Sequence, residues 1–181
     1  KGSPSERRRY IDIAISQIKP TYFYNLQQYS KILVERNHLL KNINKNNRMI
    51  ETLDIWNESL ANVGSKIMNE RNIFISKLNE IVKKKHDGLT AGNELLKINY
   101  NPSINFENDS NIINIKACFM KNLERIIDRE IKVATTLIGP QRDDMDIFIN
   151  DNSVRLYGSQ GQQRTVVLSL KLSEVDIVES L

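Results

Sequence analysis

Residues 158–165 read Gly-Ser-Gln-Gly-Gln-Gln-Arg-Thr and run straight into Val166, Val167, Leu168, Leu170, Leu172 and Val175. A polar, glycine-bearing loop that opens an apolar-periodic helix is a place for an anion. The unsatisfied N–H groups and the dipole of a helix start point at negative charge, and Gly161 lets backbone come close. Ser159 adds a hydroxyl and Gln162 an amide. No G-x-x-x-x-G-K-[ST] loop occurs anywhere in the chain, so it carries no nucleotide cradle of its own. The alternative is a plain helix cap, with residues 159–164 holding the first turn and nothing else.

Two further clusters bear charge. Asp143, Asp144 and Asp146 offer oxygen ligands of the kind a hard cation takes, and Asp144 and Asp146 share a strand face. No His or further carboxylate follows nearby to complete a site, so no metal is expected, and pairing of Arg142 with Asp143 is the preferred reading. Arg7, Arg8 and Arg9 lie in the first turns of a helix, where cations oppose the dipole. They are either solvated, paired with carboxylates, or contacts for phosphates. Lys83, Lys84 and Lys85, with His86, end a long helix where cations suit the dipole, and they carry the same alternative of phosphate contact.

The elements that must position these groups are mostly helical. Ser3-Pro4-Ser5-Glu6 reads as a helix start, with Ser3 as cap, Pro4 in the first position and Glu6 closing a capping box; the helix runs to about Ile18. Pro20 opens a second helix, in which Tyr22, Tyr29, Arg36 and Ile43 repeat every seven residues beside Leu26, Leu33 and Leu40. The Asn-rich residues 42–47 read as a turn. A third helix spans about Ile50 to His86 on a spine of Leu53, Leu60, Ile67, Phe74 and Ile81, with Trp56 and Val63 as core beside it. Glu70 and Lys77 interrupt its second seam, and Leu78 partly replaces it. Two heptad helices joined by a short turn predict an antiparallel hairpin, and roughly 37 residues at a ~1.5 Å rise give an arm of about 55 Å. His38 is expected at its surface.

Gly88 and Gly92 are expected to end the arm. Leu96, Ile98 and Tyr100 alternate as a short strand, with loop from Asn99 to Ser110. Ile112, Ile115, Phe119, Leu123, Ile126 and Ile127 mark an amphipathic helix ending near Glu130, with Cys118 as an inert small hydrophobe. Met145, Ile147 and Ile149 form a strand, Asp151-Asn152 turns the chain, and Val154 and Leu156 return it as a hairpin.

Composition sets the outer bounds. The chain has 181 residues, with 40% hydrophobic and 27% charged, which is globular rather than disordered. One cysteine excludes a disulfide framework. No apolar run approaches the ~18 residues of a membrane span, and no signal peptide opens the chain, so a cytoplasmic protein is expected. Residues 1–88 carry 16 Lys+Arg against 9 Asp+Glu, and residues 89–181 carry 10 against 13. A basic first half suits a polyanion partner. The chain starts at Lys1 and stops at Leu181 inside an apolar-periodic run, which reads as a piece of a longer polypeptide.

Four stretches, in order along essentially the whole chain, carry a family resemblance. They are residues 2–9 with Asp12, Arg36-Asn37 before Leu39-Leu40, Gly139-Pro140 with Arg142-Asp143-Asp144, and the loop at 158–165. Together they resemble the RecF recombination-mediator family, a branch of the ABC-type ATPases related to SMC proteins, in which the last stretch is the signature loop. Gln141 stands where that family usually has His.

The resemblance implies an α+β, mostly helical fold. Residues 1–131 would form an antiparallel coiled-coil-like helical arm, its first helix linking to the head, and residues 132–181 the returning part of an ABC-type ATPase head. The nucleotide cradle would precede Lys1, and the acid-ended strand would follow Leu181. Two protomers would close over two ATP molecules with Mg2+, each signature loop capping the nucleotide of the other. Ser159 would then touch the γ-phosphate and Gly161 offer its N–H, while Gln162 and Gln163 shape the loop and Arg164 supports charge nearby. Arg142 and Asp143 would sit at the head–arm junction. The full-length protein would be a weak DNA-dependent ATPase and an ATP-dependent homodimer, active in recombinational repair and the SOS response. It would load recombinase at gaps or single–double strand junctions with RecO- and RecR-like partners, and this chain alone would bind no cofactor and be inactive. The rivals are a non-enzymatic coiled-coil scaffold and a DNA-binding arm without nucleotide coupling.

Overall fold

The computed structural model describes residues 2–43, 50–107 and 110–179. The fold is α+β and mostly helical, with one three-stranded antiparallel sheet. Helix α1 (Pro4–Ile18) starts on the expected box: Glu6 N–H donates to Ser3 Oγ at 3.3 Å, and Ser3 N–H donates to Glu6 Oε2 at 2.5 Å. Helix α2 (Pro20–Ile43) buries Tyr22, Tyr29, Arg36 and Ile43, the positions seven apart, together with Leu40. His38 is exposed. Of the Asn-rich turn at 42–47, residues 44–47 lie outside the described residues.

Helix α3 (Ile50–Thr90) is longer than expected and passes through Gly88. It ends where Ala91 and Gly92 turn left-handed, at φ 50° and 78°, and Gly92 N–H reaches back to Asp87 O at 3.1 Å. Leu53, Leu60, Ile67 and Phe74 are buried as the spine requires, whereas Ile81, Trp56 and Val63 are half-buried. Strand β1 (Leu96–Asn101) continues two residues past the point where loop was expected. Helix α4 (Ile112–Val133) is capped by Asn111, whose side chain accepts from Asn114 N–H, and Cys118 on it is half-buried. Strand β2 (Asp144–Ile149) pairs antiparallel with β1, Leu96 opposite Ile149 and Asn101 opposite Asp144, and with β3 (Asn152–Ser153).

The hairpin expected after β2 is cut short. Asn150 and Asp151 take positive φ, 47° and 62°, so the turn sits one residue earlier than expected and only two residues return as strand. Val154 and Leu156 are not strand: they belong to α5 (Val154–Tyr157), a single helical turn that leads into α6 (Gln160–Glu179). The alternation Val-Arg-Leu-Tyr is equally compatible with one turn that buries Val154 alone, and Leu156 and Tyr157 are exposed.

The chain forms two compact units, one of Lys1–Ile18, Arg71–Asn101 and Asp144–Leu181, the other of Lys19–Glu70 and Pro102–Asp143. These differ from the expected pieces 1–131 and 132–181, because α1 and the second half of α3 group with the sheet and α6. In the first unit, Ile11 and Ile15 of α1, Ile75, Leu78 and Val82 of α3, Leu96 and Ile98 of β1, Met145 and Ile149 of β2, and Val166 and Leu170 of α6 are buried. Each such side chain contributes about 1.5–3 kcal/mol by leaving water.

The second unit packs α2, the first half of α3 and α4. Leu40, Ile43 and Leu53 form a core flanked by Leu39, Ile127 and Ile131. Gly64 on α3 lets the rings of Phe119 and Tyr29 come in: a Cβ there would stand 2.5 Å from Phe119 Cε1 and 3.0 Å from Tyr29 Cε2. Arg36 lies inside this unit, fully buried, with Nη2 2.6 Å from Glu130 Oε2, Nε 2.8 Å from Asn57 Oδ1 and Nη1 2.7 Å from Thr136 Oγ1. Glu130 Oε1 accepts Leu137 N–H at 2.7 Å. Low polarity there makes every one of these bonds matter, since an unpaired buried charge is costly. Among the described residues no helix is long and apolar enough to cross a membrane.

Candidate functional site

The loop at 158–165 is built from one turn of helix and a cap. Gly158 N–H donates to Val154 O at 3.0 Å, and a Cβ on Gly158 would stand 2.5 Å from that same oxygen, so only glycine closes the turn this tightly. Ser159 and Gln162 then form a reciprocal box at the start of α6. Gln162 N–H donates to Ser159 Oγ at 3.2 Å and Ser159 N–H donates to Gln162 Oε1 at 2.9 Å. Gln163 Nε2 donates to Gly158 O at 2.8 Å. Gln162 and Gln163 thus set the loop's shape.

What the loop presents outward is different in kind. Ser159, Gly161 and Arg164 are exposed. The first N–H groups of α6, those of Gln160 and Gly161, have no intrahelical acceptor by the geometry of a helix start. At Gly161 a Cβ would meet nothing nearer than Ser159 Oγ at 3.8 Å. Packing within this chain therefore leaves room for a side chain at Gly161. An exposed hydroxyl, unsatisfied N–H groups, an open glycine and a guanidinium make a donor set suited to a phosphate.

A second layer ties this cap to α3, and residue patterns did not reveal it. Gln162 Nε2 donates to Glu94 Oε1 at 3.0 Å, Glu94 Oε2 lies 2.9 Å from His86 Nε2, and His86 Nδ1 lies 2.9 Å from Ser169 Oγ. His86 is not a solvent-facing cation at a helix end but fully buried. The available signal was spacing: Ile75, Leu78, Val82 and His86 continue one stripe at steps of three and four.

The basic and acidic candidates separate. Arg7 grips Asp144 with both arms of its fork, Nε to Oδ1 at 2.7 Å and Nη2 to Oδ2 at 2.6 Å, and Nη1 donates to Gly2 O. Burial alone would raise the Asp144 carboxyl. The Arg7 hydrogen bonds, the Met145 N–H and the charges of Arg7 and Arg8 outweigh that and hold it below the usual carboxylate range. The same hydrogen bonds raise the Arg7 guanidinium. Arg8 is half-buried and Arg9 exposed; Lys83 and Lys84 are exposed, while Lys85 pairs with Asp176 at 2.8 Å. Arg142 is exposed, and Asp143 is buried with Oδ1 accepting Ser103 N–H at 2.8 Å. Asp146 Oδ2 accepts Asn101 Nδ2 at 2.9 Å. Asp12 holds Arg71, Nη2 to Oδ1 at 2.9 Å. Among the described residues no group of three or more His, Cys, Asp or Glu is placed to hold a metal ion.

No family model matches the chain. It is 48% identical over 180 residues to the DNA replication and repair protein RecF of Acetivibrio thermocellus, covering 99% of this chain and 49% of that protein. Identity is 46% to the RecF of Ruminiclostridium cellulolyticum and 43% to that of Bacillus thuringiensis, again over 99% of this chain and 48% of each relative. A solved structure of the recombination mediator protein RecF-ATP in the RecFOR pathway superimposes with a TM-score of 0.94 at 38% identity, over 99% of this chain and 48% of that one. Over nearly its whole length the chain is similar to RecF proteins. A second RecF structure, with ATPrS, superimposes at 0.95.

The chain spans about half the length of the RecF proteins it matches. Gln141 accepts the Tyr29 hydroxyl at 2.5 Å and donates to Ile138 O at 2.8 Å.

Proposed function

We propose that this chain is the helical arm and returning head portion of a RecF-like DNA replication and repair protein, and that the loop at 158–165 caps ATP held by a second protomer. The observation that carries the reading is the 0.94 superposition on RecF-ATP across 99% of the chain, joined to a loop that exposes the Ser159 hydroxyl, the backbone at Gly161 and the Arg164 guanidinium. Ser159 Oγ accepts from Gln162 N–H and keeps its own hydrogen to donate to a phosphate oxygen of the partner-held nucleotide. The Gly161 N–H adds a second donor, and Arg164 adds positive charge as the phosphates are enclosed. Bound Mg2+ would neutralise phosphate charge on the partner's side, with its ligands outside this chain. Gln162 and Gln163 keep the donors in register through the bonds described above.

In this reading closure over ATP and dimerisation are one event, because each nucleotide needs a donor loop from the other protomer. The full-length protein is then a cytoplasmic, DNA-dependent ATPase that dimerises with ATP. It acts at single-strand gaps with RecO- and RecR-like mediators, in recombinational repair and the SOS response. Of the basic residues at 7–9 and 83–85, Arg9, Lys83 and Lys84 are exposed and available for DNA phosphate, with Arg7, Arg8 and Lys85 adding charge behind carboxylate partners or partial burial. Arg142 and Asp143 serve the junction of head and arm. The chain by itself turns over no ATP.

A second reading has its own observation. The reciprocal Ser159–Gln162 box is what a scaffold helix needs and no more. Sedimentation of the full-length protein with and without ATP, comparing wild type with Ser159→Arg, separates the two. ATP-dependent dimers abolished by the substitution support the nucleotide site. Dimers indifferent to both ATP and Ser159→Arg leave the loop as a helix cap.

A further inference from the structure

We infer that Glu94 and His86 are positioning residues for the signature loop, acting through Gln162; the inference rests on the nucleotide-capping reading above. The chain of contacts is continuous and lies within one compact unit. His86, on the last turns of α3, is fully buried, with Nε2 2.9 Å from Glu94 Oε2. A carboxylate only accepts, so Nε2 carries the hydrogen of that bond. The other imidazole nitrogen lies 2.9 Å from Ser169 Oγ on α6, and with the hydrogen on Nε2 it accepts the Ser169 hydroxyl. His86 is therefore held between the segment after α3 and the third turn of α6.

Glu94 uses its second oxygen on the loop. Oε1 accepts Gln162 Nε2 at 3.0 Å, and the Oε1 of the same Gln162 amide accepts Ser159 N–H. The amide is thus oriented at both ends: the carboxylate demands its NH2 side, which leaves its carbonyl side for the Ser159 backbone. Were the amide to rotate away, the Ser159 N–H would lose its acceptor, and the backbone that carries the hydroxyl would lose one of its two bonds to Gln162. A helix cap alone requires the Ser159–Gln162 box and nothing beyond it. The buried imidazole and the bidentate use of Glu94 are an additional device that fixes the direction of the cap, of the kind that holds reacting groups within a fraction of an ångström.

The test is a double-mutant cycle in the full-length protein, reading the ATP-dependent dimer affinity by sedimentation, with thermal unfolding of each variant as the check on folding. Glu94→Ala is expected to weaken the ATP dimer about tenfold, the scale of one lost charged hydrogen bond. It is expected to add no further loss in a Gln162→Ala background, since the relay acts only through that amide. Glu94→Gln is expected to restore most of the affinity: its carbonyl accepts from Gln162, and its NH2 donates to the other His86 tautomer. If Glu94→Ala proves too unstable to assay, His86→Gln is read in the same cycle, with the same expected non-additivity. Wild-type affinity in Glu94→Ala while Ser159→Arg still abolishes the dimer overturns the relay and leaves the nucleotide site standing. Additive losses with Gln162→Ala also overturn it, because Glu94 would then act by another route. A dimer indifferent to Ser159→Arg overturns the nucleotide reading and the relay's purpose with it.

Discussion

The Arg36 guanidinium lies 2.6 Å from the Glu130 carboxylate, and neither side chain is exposed to solvent. The pair joins α2 to α4, with Asn57 of α3 and Thr136 accepting from the other Arg36 nitrogens. Removing one partner strands a charge where water does not reach. Glu130→Ala is expected to cost about 3–5 kcal/mol in urea unfolding, and replacing both partners by leucine to cost much less. A single-mutant loss under about 1 kcal/mol would mean that the pair is solvated in practice.

Arg7 and Asp144 make an acid-labile link between α1 and β2. The Asp144 carboxyl titrates below its ordinary value of 3.8 in the folded protein, so its contribution is complete above that pH. The contribution is lost as pH falls through the lower folded value. Stability of wild type and Asp144→Asn should therefore differ by a constant amount above about pH 5 and converge towards pH 2. A difference that persists unchanged at pH 2 would assign the effect to packing instead of charge.

Two glycines three residues apart should behave oppositely. Gly158→Ala forces a Cβ to 2.5 Å from the Val154 oxygen and should lower stability by about 1–3 kcal/mol in thermal or urea unfolding. Gly161→Ala meets open space near the start of α6, and should leave stability unchanged or raise it by up to about 1 kcal/mol. In the full-length protein the same Gly161→Ala should weaken ATP-dependent dimerisation, because the methyl would intrude where phosphate is proposed to approach. A variant that dimerises normally would remove Gly161 from the site.

Gly64 is a packing glycine. Gly64→Ala brings a Cβ against the Phe119 ring, and overpacking of this kind costs about 1–3 kcal/mol. Phe119→Leu in the same chain should recover part of that loss. Failure of the double variant to recover any would place the strain on the Tyr29 side.

The capping box at Ser3 and Glu6, the seven-residue seam of α2 and the amphipathic α4 were legible because each is a local pattern whose period matches its element. The break at Glu70 and Lys77 was also on the page. It marks where α3 passes from one compact unit to the other, and the buried stripe moves to Ile75, Leu78 and Val82. Its meaning was not legible, since a heptad pattern does not say which partner covers it. The strand assigned to Val154 and Leu156 failed for a related reason: four alternating residues fit a strand or one helical turn, and the tight Gly158 contact decides.

The residue types of the loop at 158–165, its place at a helix start and the family the chain resembles were determined by the sequence alone, because they are carried by adjacent residues in a fixed order. Which charged groups are engaged was decided only in three dimensions. Arg36 with Glu130, Arg7 with Asp144, and His86 with Glu94 and Gln162 are separated by up to 137 residues or belong to different elements. A charge's role depends on what lies within about 4 Å of it and on whether water reaches it, and chain order encodes neither.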